Sequence, residues 1–312
     1  MKCAEEIGED LSMPWDPRKA AIYITWAAET KKWASSTLQQ YISAIKSAHR
    51  REGWPDNWLN YQVKNLIKGF ENLSEPRTQR LPITPAIMKI LWKNLEASNI
   101  KEEDKRLVWA VSTIMYAGSL RGGEILGDKE TEYDEDKMLL NKEIGVKTVK
   151  VDGKEIRMVL AKIKNPKEMK GKGHVNIEMF EQNTWMCPVR AIMKLREKRK
   201  EDPAFPFARR RNGKLLTIKL FNQILKTLLK EVFSYEEGTI SSHSFRSGVA
   251  SAMARAGYND EDIKRVGRWQ SDSFLRYIKL GRSSRLEQQL ELMRKLTEIG
   301  QNELEEMSTS RN

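Results

Sequence analysis

Residues 74–85 read Ser-Glu-Pro-Arg-Thr-Gln-Arg-Leu-Pro-Ile-Thr-Pro, three prolines in twelve positions with no helical period. Proline lacks the N–H that a helix or ladder uses, and it pushes the preceding residue into extended backbone. The segment therefore suits an extended connection, which places a boundary near residue 78 of the 312. At roughly 150 residues per domain, two domains are also what the length implies.

Upstream of the boundary the pattern is helical. From Ser36, apolar residues fall at Leu38, Tyr41, Ile42, Ile45 and Ala48, the spacing of a one-sided helix. Ser36 is the expected N-cap, with Gly53 and Pro55 as the stop. Val63, Leu66, Ile67 and Phe70 mark a second helix. The polar face of the first carries Lys46, Arg50 and Arg51, either as a solvated face or as contacts to a phosphate backbone. Residues 1–16 form an acidic leader, with Lys2 against Glu5, Glu6, Glu9, Asp10 and Asp16.

Downstream, Thr84 and Pro85 predict a helix start. Helical patterns run to Leu126, and an acidic stretch spans Asp128 to Asp136. Residues 146–151 and 156–163 alternate as strands around Asp152-Gly153, a strong hairpin signal, and Val175-Asn-Ile continues the strand character. Cys187-Pro188 opens a further helix, and residues 209–213 form a cationic turn. Three more helices are expected over 243–256, 259–266 and 273–279, with Asn259 capping the second and Gly257 and Gly267 as stops. The fold class is mainly α with a small antiparallel β-sheet.

Composition narrows the function. The net charge is +12, and both regions flanking the boundary are cationic: ten bases and five acids over 17–78, 44 and 33 over 79–312. Such a surface concentrates polyanions, DNA foremost. Two cysteines, Cys3 and Cys187, exclude a disulfide framework. No apolar run reaches the ~18 residues of a membrane span, and the first residues have no apolar signal region. The expected location is intracellular: the nucleus in a eukaryotic host, otherwise the cytoplasm. No phosphate-cradling glycine loop and no metal-ligand spacing occur, so no cofactor and no metal are expected. The carboxylates of 128–136 read as a solvated loop.

The segment that points to chemistry is Ser241-Ser-His243-Ser-Phe-Arg246-Ser-Gly, followed by Val266-Gly-Arg268-Trp269-Gln-Ser-Asp-Ser-Phe-Leu-Arg-Tyr277. His243 and Arg246, three apart, share a helix face in the first turn, where backbone N–H groups and the dipole favour an anion. This segment resembles the second box of the tyrosine recombinase (phage integrase) family, His-x-x-Arg, then Gly-[His/Trp], then Tyr. Tyr116-Ala-Gly-Ser-Leu-Arg121-Gly-Gly-Glu124 resembles the family's first box, Gly-Leu-Arg-x-x-Glu. Ala161-Lys-Ile-Lys164-Asn looks like the hairpin end that carries the family lysine. The Gly-Arg-Trp-x-Ser-Asp form resembles that of recombinases of eukaryotic mobile elements (Crypton- and DIRS-like).

The resemblance implies a helical core-binding domain over 17–78, a mixed α/β catalytic domain over 79–285, and an amphipathic helix and tail over 286–312 (Leu286, Leu290, Met293, Leu296, Ile299) that docks on a neighbouring protomer. It implies site-specific recombination of double-stranded DNA by a homo-oligomer, a tetramer, through a 3′-phosphotyrosine. Arg121, Arg246 and His243 would hold the phosphate, with Glu124 supporting Arg121. Lys164 would protonate the leaving 5′ oxygen, with Lys162 and Lys167 as rivals. Trp269 would pack on the site, with Arg268 as the rival for the His/Trp place, and Tyr277 would be the nucleophile. Alternatives are a type IB topoisomerase-like strand cleaver and a catalytically silent DNA-binding derivative.

Overall fold

The structure, a computed structural model, describes residues 2–73, 81–166, 173–197, 199, 202–231 and 240–278. The chain divides into two compact units, Met1–Arg77 and Thr78–Asn312.

The first unit is helical: α1 (Lys2–Ile7), α2 (Pro17–Glu29), α3 (Ser35–Arg51) and α4 (Tyr61–Leu73). Asp16 caps α2, accepting from the Lys19 N–H at 2.8 Å, and Pro17 takes the first helical position. The cap expected at Ser36 is not used. Here the cap lies two residues earlier, at Ala34, whose carbonyl collects the first-turn N–H groups of Thr37 and Leu38 without any side chain. An aromatic cluster forms the core: Trp15, Tyr23, Trp26 and Trp58 are buried, and Trp33 stacks on the exposed Tyr41 with centroids 4.6 Å apart. Fully buried His49 ties this core together. Its Nε2 accepts from the Trp15 N–H (3.0 Å), so its Nδ1 donates to the Pro55 carbonyl (2.9 Å).

Residues 1–16, distinct in composition, are built into the same core through buried Cys3, Leu11 and Trp15. Their acids meet bases of the following segment, Glu6 with Lys31 (2.7 Å) and Glu9 with Arg18 (3.1 Å). On the outer face of α3, Arg50 and Arg51 are exposed and Lys46 is half-buried.

The second unit is built around α6 (Glu102–Ala117), in which every residue from Leu107 to Met115 is buried. A helix apolar on all sides must lie inside a core. Here it packs against α5 (Pro85–Ala97), α8 (Pro188–Arg196) and α10 (His243–Arg255). Thr84 caps α5 as its sequence predicts, accepting from the Ile87 N–H at 3.3 Å. The sheet is three antiparallel strands in the order β1 (Ile144–Val151), β2 (Lys154–Lys164), β3 (His174–Phe180). Asp152 and Gly153 both adopt positive φ (+49° and +76°), the two-residue hairpin geometry that an Asp-Gly pair accommodates. Along β2, Val159, Ala161 and Ile163 turn into the core. Alternation then sends Lys162 and Lys164 to the other face.

Short α7 (Gly122–Ile125), α9 (Ile218–Leu228) and α11 (Asp260–Gly267) complete the helices that bear on the site. Asn259 caps α11, but Gly267 is not its stop: it remains helical and Arg268 takes the left-handed conformation. In the described part of the helix expected over 273–279, the chain forms a short 3-10 helix, Asp272–Arg276. The Tyr277 N–H closes back on the Phe274 carbonyl at 2.8 Å, three residues away, which tightens the winding. Lys167 and the amphipathic stretch Leu286 to Ile299 lie outside the described residues. Among the described residues, no helix is long and apolar enough to cross a membrane.

Candidate active site

Two segments more than a hundred residues apart meet where α6 ends. Gly118 terminates α6, and buried Ser119 follows with φ at +47°, a left-handed conformation that costs a non-glycine residue about 1–2 kcal/mol. This kink turns Arg121 toward α10. Glu124 folds back on Arg121, with Oε2 accepting the backbone N–H (2.8 Å) and Oε1 accepting Nη1 (3.2 Å). A Cβ on Gly122 would lie 2.6 Å from the Ser242 Oγ, so the start of α7 abuts the residue before His243 at a distance only glycine permits. Ser242 is itself moored to α9, its N–H donating to the Asn222 Oδ1 at 2.7 Å.

Arg246, one turn into α10, is 1% exposed. Its Nη1 donates to the Ser119 carbonyl and its Nη2 to the Gly267 carbonyl, both at 2.6 Å. The indole of Trp269 covers the guanidinium, with Cζ 4.6 Å from the ring centroid. A Cβ on Gly267 would fall 1.5 Å from a Trp269 ring carbon, so this glycine makes the seat for the indole. The ring of Tyr277 tilts against Trp269, centroids 5.3 Å apart. Its carbonyl accepts from the hydroxyls of Ser247 (2.5 Å) and Ser251 (3.3 Å), pinning it to the helix that carries His243 and Arg246. His243, Arg121 and Tyr277 are partly exposed, whereas Arg246 and Trp269 are buried.

Charge is unbalanced at this point. Glu124 receives Arg121 on one side and Arg268 on the other (Nη2–Oε2 2.8 Å, Nη1–Oε1 3.1 Å). Arg246 stands close enough to feel all three groups. Burial alone would raise the Glu124 carboxyl, but the Arg268 hydrogen bonds and charge, then Arg121, hold it below the usual carboxylate range. Arg246 is pushed down to about 10, first by burial and then by the like charges of Arg121 and Arg268. It remains a cation at neutral pH. Three guanidiniums thus gather near one carboxylate, two of them bonded to it, and the Tyr277 phenol lies within their electrostatic reach.

Of the side chains singled out in the sequence, Arg121, Glu124, Arg246, Arg268, Trp269 and Tyr277 come together, and His243 stands in the first turn of the helix that carries Arg246. Lys164 does not join them. Its Nζ pairs with the Glu143 Oε1 at 2.9 Å and donates to the Glu135 carbonyl. The outward register of β2 directs it there. Lys162 is exposed on the same face. Lys46, Arg50 and Arg51 belong to the other unit, where Arg50 meets Asp56 (3.4 Å) and Arg51 meets Glu52 (3.0 Å). Sequence reasoning passed over Ser119, Asn222, Ser247 and Ser251. They act through a carbonyl, one amide oxygen or hydroxyls on backbone, and no residue-type pattern announces that.

Residues 140–280 match the family model described as the phage integrase family. No match is found among curated proteins. Among solved structures, the chain is similar to the Tn1549 transposon integrase in complex with transposon right end DNA (TM-score 0.58, 15% identity, covering 94% of this chain and 92% of that one). It is also similar to the XerH site-specific recombinase bound to palindromic difH substrate in a post-cleavage complex (0.55, 13%, 84% and 68%). A third is a lambda integrase dimer bound to a COC′ core site (0.54, 14%, 90% and 88%). At these identities the likeness is one of fold, and the fold is that of the tyrosine recombinases.

Proposed function

With residues 140–280 matching the phage integrase family in a tyrosine-recombinase fold, we propose that this protein is a DNA strand transferase that cleaves and rejoins DNA through Tyr277. The observation that carries the reading is the chain of contacts Tyr277–Trp269–Arg246–Ser119, which ends beside Arg121. It sets a phenol next to a cluster of guanidiniums.

The Tyr277 oxygen attacks a backbone phosphorus. The bond to the 5′ oxygen breaks, a 3′-phosphotyrosine bond forms, and the 5′ strand leaves as a hydroxyl after gaining a proton. A 5′ hydroxyl from a second duplex reverses the step, so the phosphodiester energy is kept. Charge gathers on the non-bridging oxygens, where Arg121 offsets it with planar donors and Arg246, its Nη groups held by the Ser119 and Gly267 carbonyls, offsets it through its field. Trp269 keeps water off Arg246, which strengthens that cation's field. His243 donates to the same phosphate or takes the phenolic proton. Lys164 serves as acid for the 5′ oxygen only once its pair with Glu143 opens. Guanidinium charge fills the part that a metal plays in other phosphoryl transfers. Exchange between two duplexes requires four cleavages, one per active site, which is the reason for a tetramer.

DNA contacts extend to the first unit through Lys46, Arg50 and Arg51. Exposed pairs such as Arg50–Asp56 are worth about 0–1 kcal/mol, so phosphate displaces them readily. The test is covalent trapping on nicked duplexes built from the DNA that borders the gene. Wild type should accumulate a protein–DNA adduct stable to denaturant, and Tyr277→Phe should give none. Equal adduct from both would exclude Tyr277 as the nucleophile.

A further inference from the structure

A serine hydroxyl inside a helix commonly donates to the carbonyl one turn back. Ser112 on α6 does so, donating to the Val108 carbonyl at 2.8 Å, and Ser47 on α3 donates to the Ser43 carbonyl at 2.9 Å. Ser247, the residue after Arg246 on α10, does not. It is 4% exposed, and its hydroxyl donates to the Tyr277 carbonyl, thirty residues away, at 2.5 Å. A hydroxyl has one proton, so this bond is made outside its own helix. The Ser251 hydroxyl, one turn further along α10, approaches the same oxygen at 3.3 Å.

The Tyr277 Cα is therefore held from both sides. The peptide before it is fixed through its own N–H, which donates to the Phe274 carbonyl at 2.8 Å. Phe274 is fully buried, in one cluster with Ala250, Ile263 and Trp269. Lys264 secures the same turn from α11: its Nζ pairs with Asp272 at 2.7 Å and lies 5.3 Å from the Phe274 ring centroid. The peptide after Tyr277 is fixed by Ser247. Apolar packing tolerates small slides, whereas a hydrogen bond is directional. The Ser247 bond starts next to Arg246, so it ties the backbone of the phenol to the backbone of that guanidinium. We propose that Ser247 is a positioning residue for Tyr277: it fixes the Cα on α10 and leaves the phenol only side-chain rotation with which to reach a phosphate. The proposal rests on the reading above, in which the Tyr277 oxygen attacks phosphorus. Reacting atoms must come within about 3–3.5 Å, and a misplacement of about 1 Å costs on the order of 10²-fold in rate.

Two measurements on the full chain test this. The first reads the contact without DNA, by NMR. Carbon-13 in tyrosine carbonyls with nitrogen-15 in isoleucine selects Tyr23-Ile24, Tyr41-Ile42 and Tyr277-Ile278, and Tyr277→Phe identifies the third by its loss. Ser247→Ala should shift the Tyr277 carbonyl resonance and leave the other two in place. The second is the single-turnover rate of adduct formation on the nicked duplexes, with DNA affinity measured beside it. Ser247→Ala should slow the step at saturating DNA by about 10–10²-fold and leave the affinity unchanged, since a buried hydroxyl offers nothing to the duplex. Ser247→Cys, similar in size but a weaker donor, should fall in between. A purely structural role predicts a lower adduct yield at an unchanged rate constant. An unmoved Tyr277 resonance, or a wild-type rate constant in Ser247→Ala, would overturn the proposal. If Ser247→Ala does not fold, the Ser247→Cys resonance and rate decide. A wild type that forms no adduct would sink the recombinase reading and the positioning role with it. An active wild type matched by an equally fast Ser247→Ala would sink the positioning role alone.

Discussion

Ser119 does its work through a strained backbone. Its carbonyl accepts from Arg246 and Arg268, while its own hydroxyl is buried without a hydrogen bond. Ser119→Gly relieves the positive φ and removes that hydroxyl, against glycine's larger unfolded-state entropy. The net expectation is a gain of roughly 0.5–1 kcal/mol, read from the denaturant midpoint; a loss would show that the hydroxyl has a partner that matters. Glu124 sets the opposite sign. Its carboxyl is held below the ordinary value of 4.5, so its contribution is present above that pH and is lost as pH falls through the depressed folded pKa. Glu124→Gln should cost about 3 kcal/mol at neutral pH, since it leaves buried guanidiniums uncompensated. Denaturation curves of wild type and variant should converge in acid. A constant difference across that range would contradict the electrostatic account.

At the scale of elements, the site depends on a segment that touches α10. Ile83, near the end of the proline-rich connection, donates its N–H to the Ser244 carbonyl at 2.9 Å, and Gly248 lies so close that an added Cβ would sit 1.9 Å from the Ile83 oxygen. Gly248→Ala should therefore destabilise the second unit by about 2 kcal/mol or more, visible as a lower melting temperature. An unchanged melting temperature would mean that α10 is not packed as described. Local chemistry made several elements legible in the sequence: the Thr84-Pro85 start, the Asp152-Gly153 turn and the Asn259 cap each follow from one or two residues. The ends set by tertiary contact were not legible. Gly267 reads as a stop, yet the Trp269 ring claims it and moves the turn to Arg268. The segment ending at Tyr277 reads as a helix, yet its backbone closes three residues back. The conjunction of Arg121, His243, Arg246, Trp269 and Tyr277 was visible as a motif because it is a pattern of residue types at set intervals. The Lys164–Glu143 pair was not, because it depends on which face of β2 looks toward residues 134–143.

For the whole molecule, cationic charge on both sides of residue 78 makes an electrostatic prediction. Each phosphate contact should contribute about −0.9 to the slope of log affinity against log salt on duplex DNA. Neutralising Lys46, Arg50 and Arg51 together should flatten that slope by about 2–3. A slope unchanged by the triple substitution would place the DNA on another face of the first unit. None of these measurements reaches the central claim, which is that the Tyr277 oxygen becomes bonded to a DNA phosphorus. The direct test is to digest the trapped adduct with protease and nuclease and to sequence the peptide that carries the nucleotide by mass spectrometry. The prediction is a peptide containing Tyr277 joined through phosphate to a 3′ nucleotide end. A nucleotide on any other residue, or a linkage to a 5′ end, would contradict it.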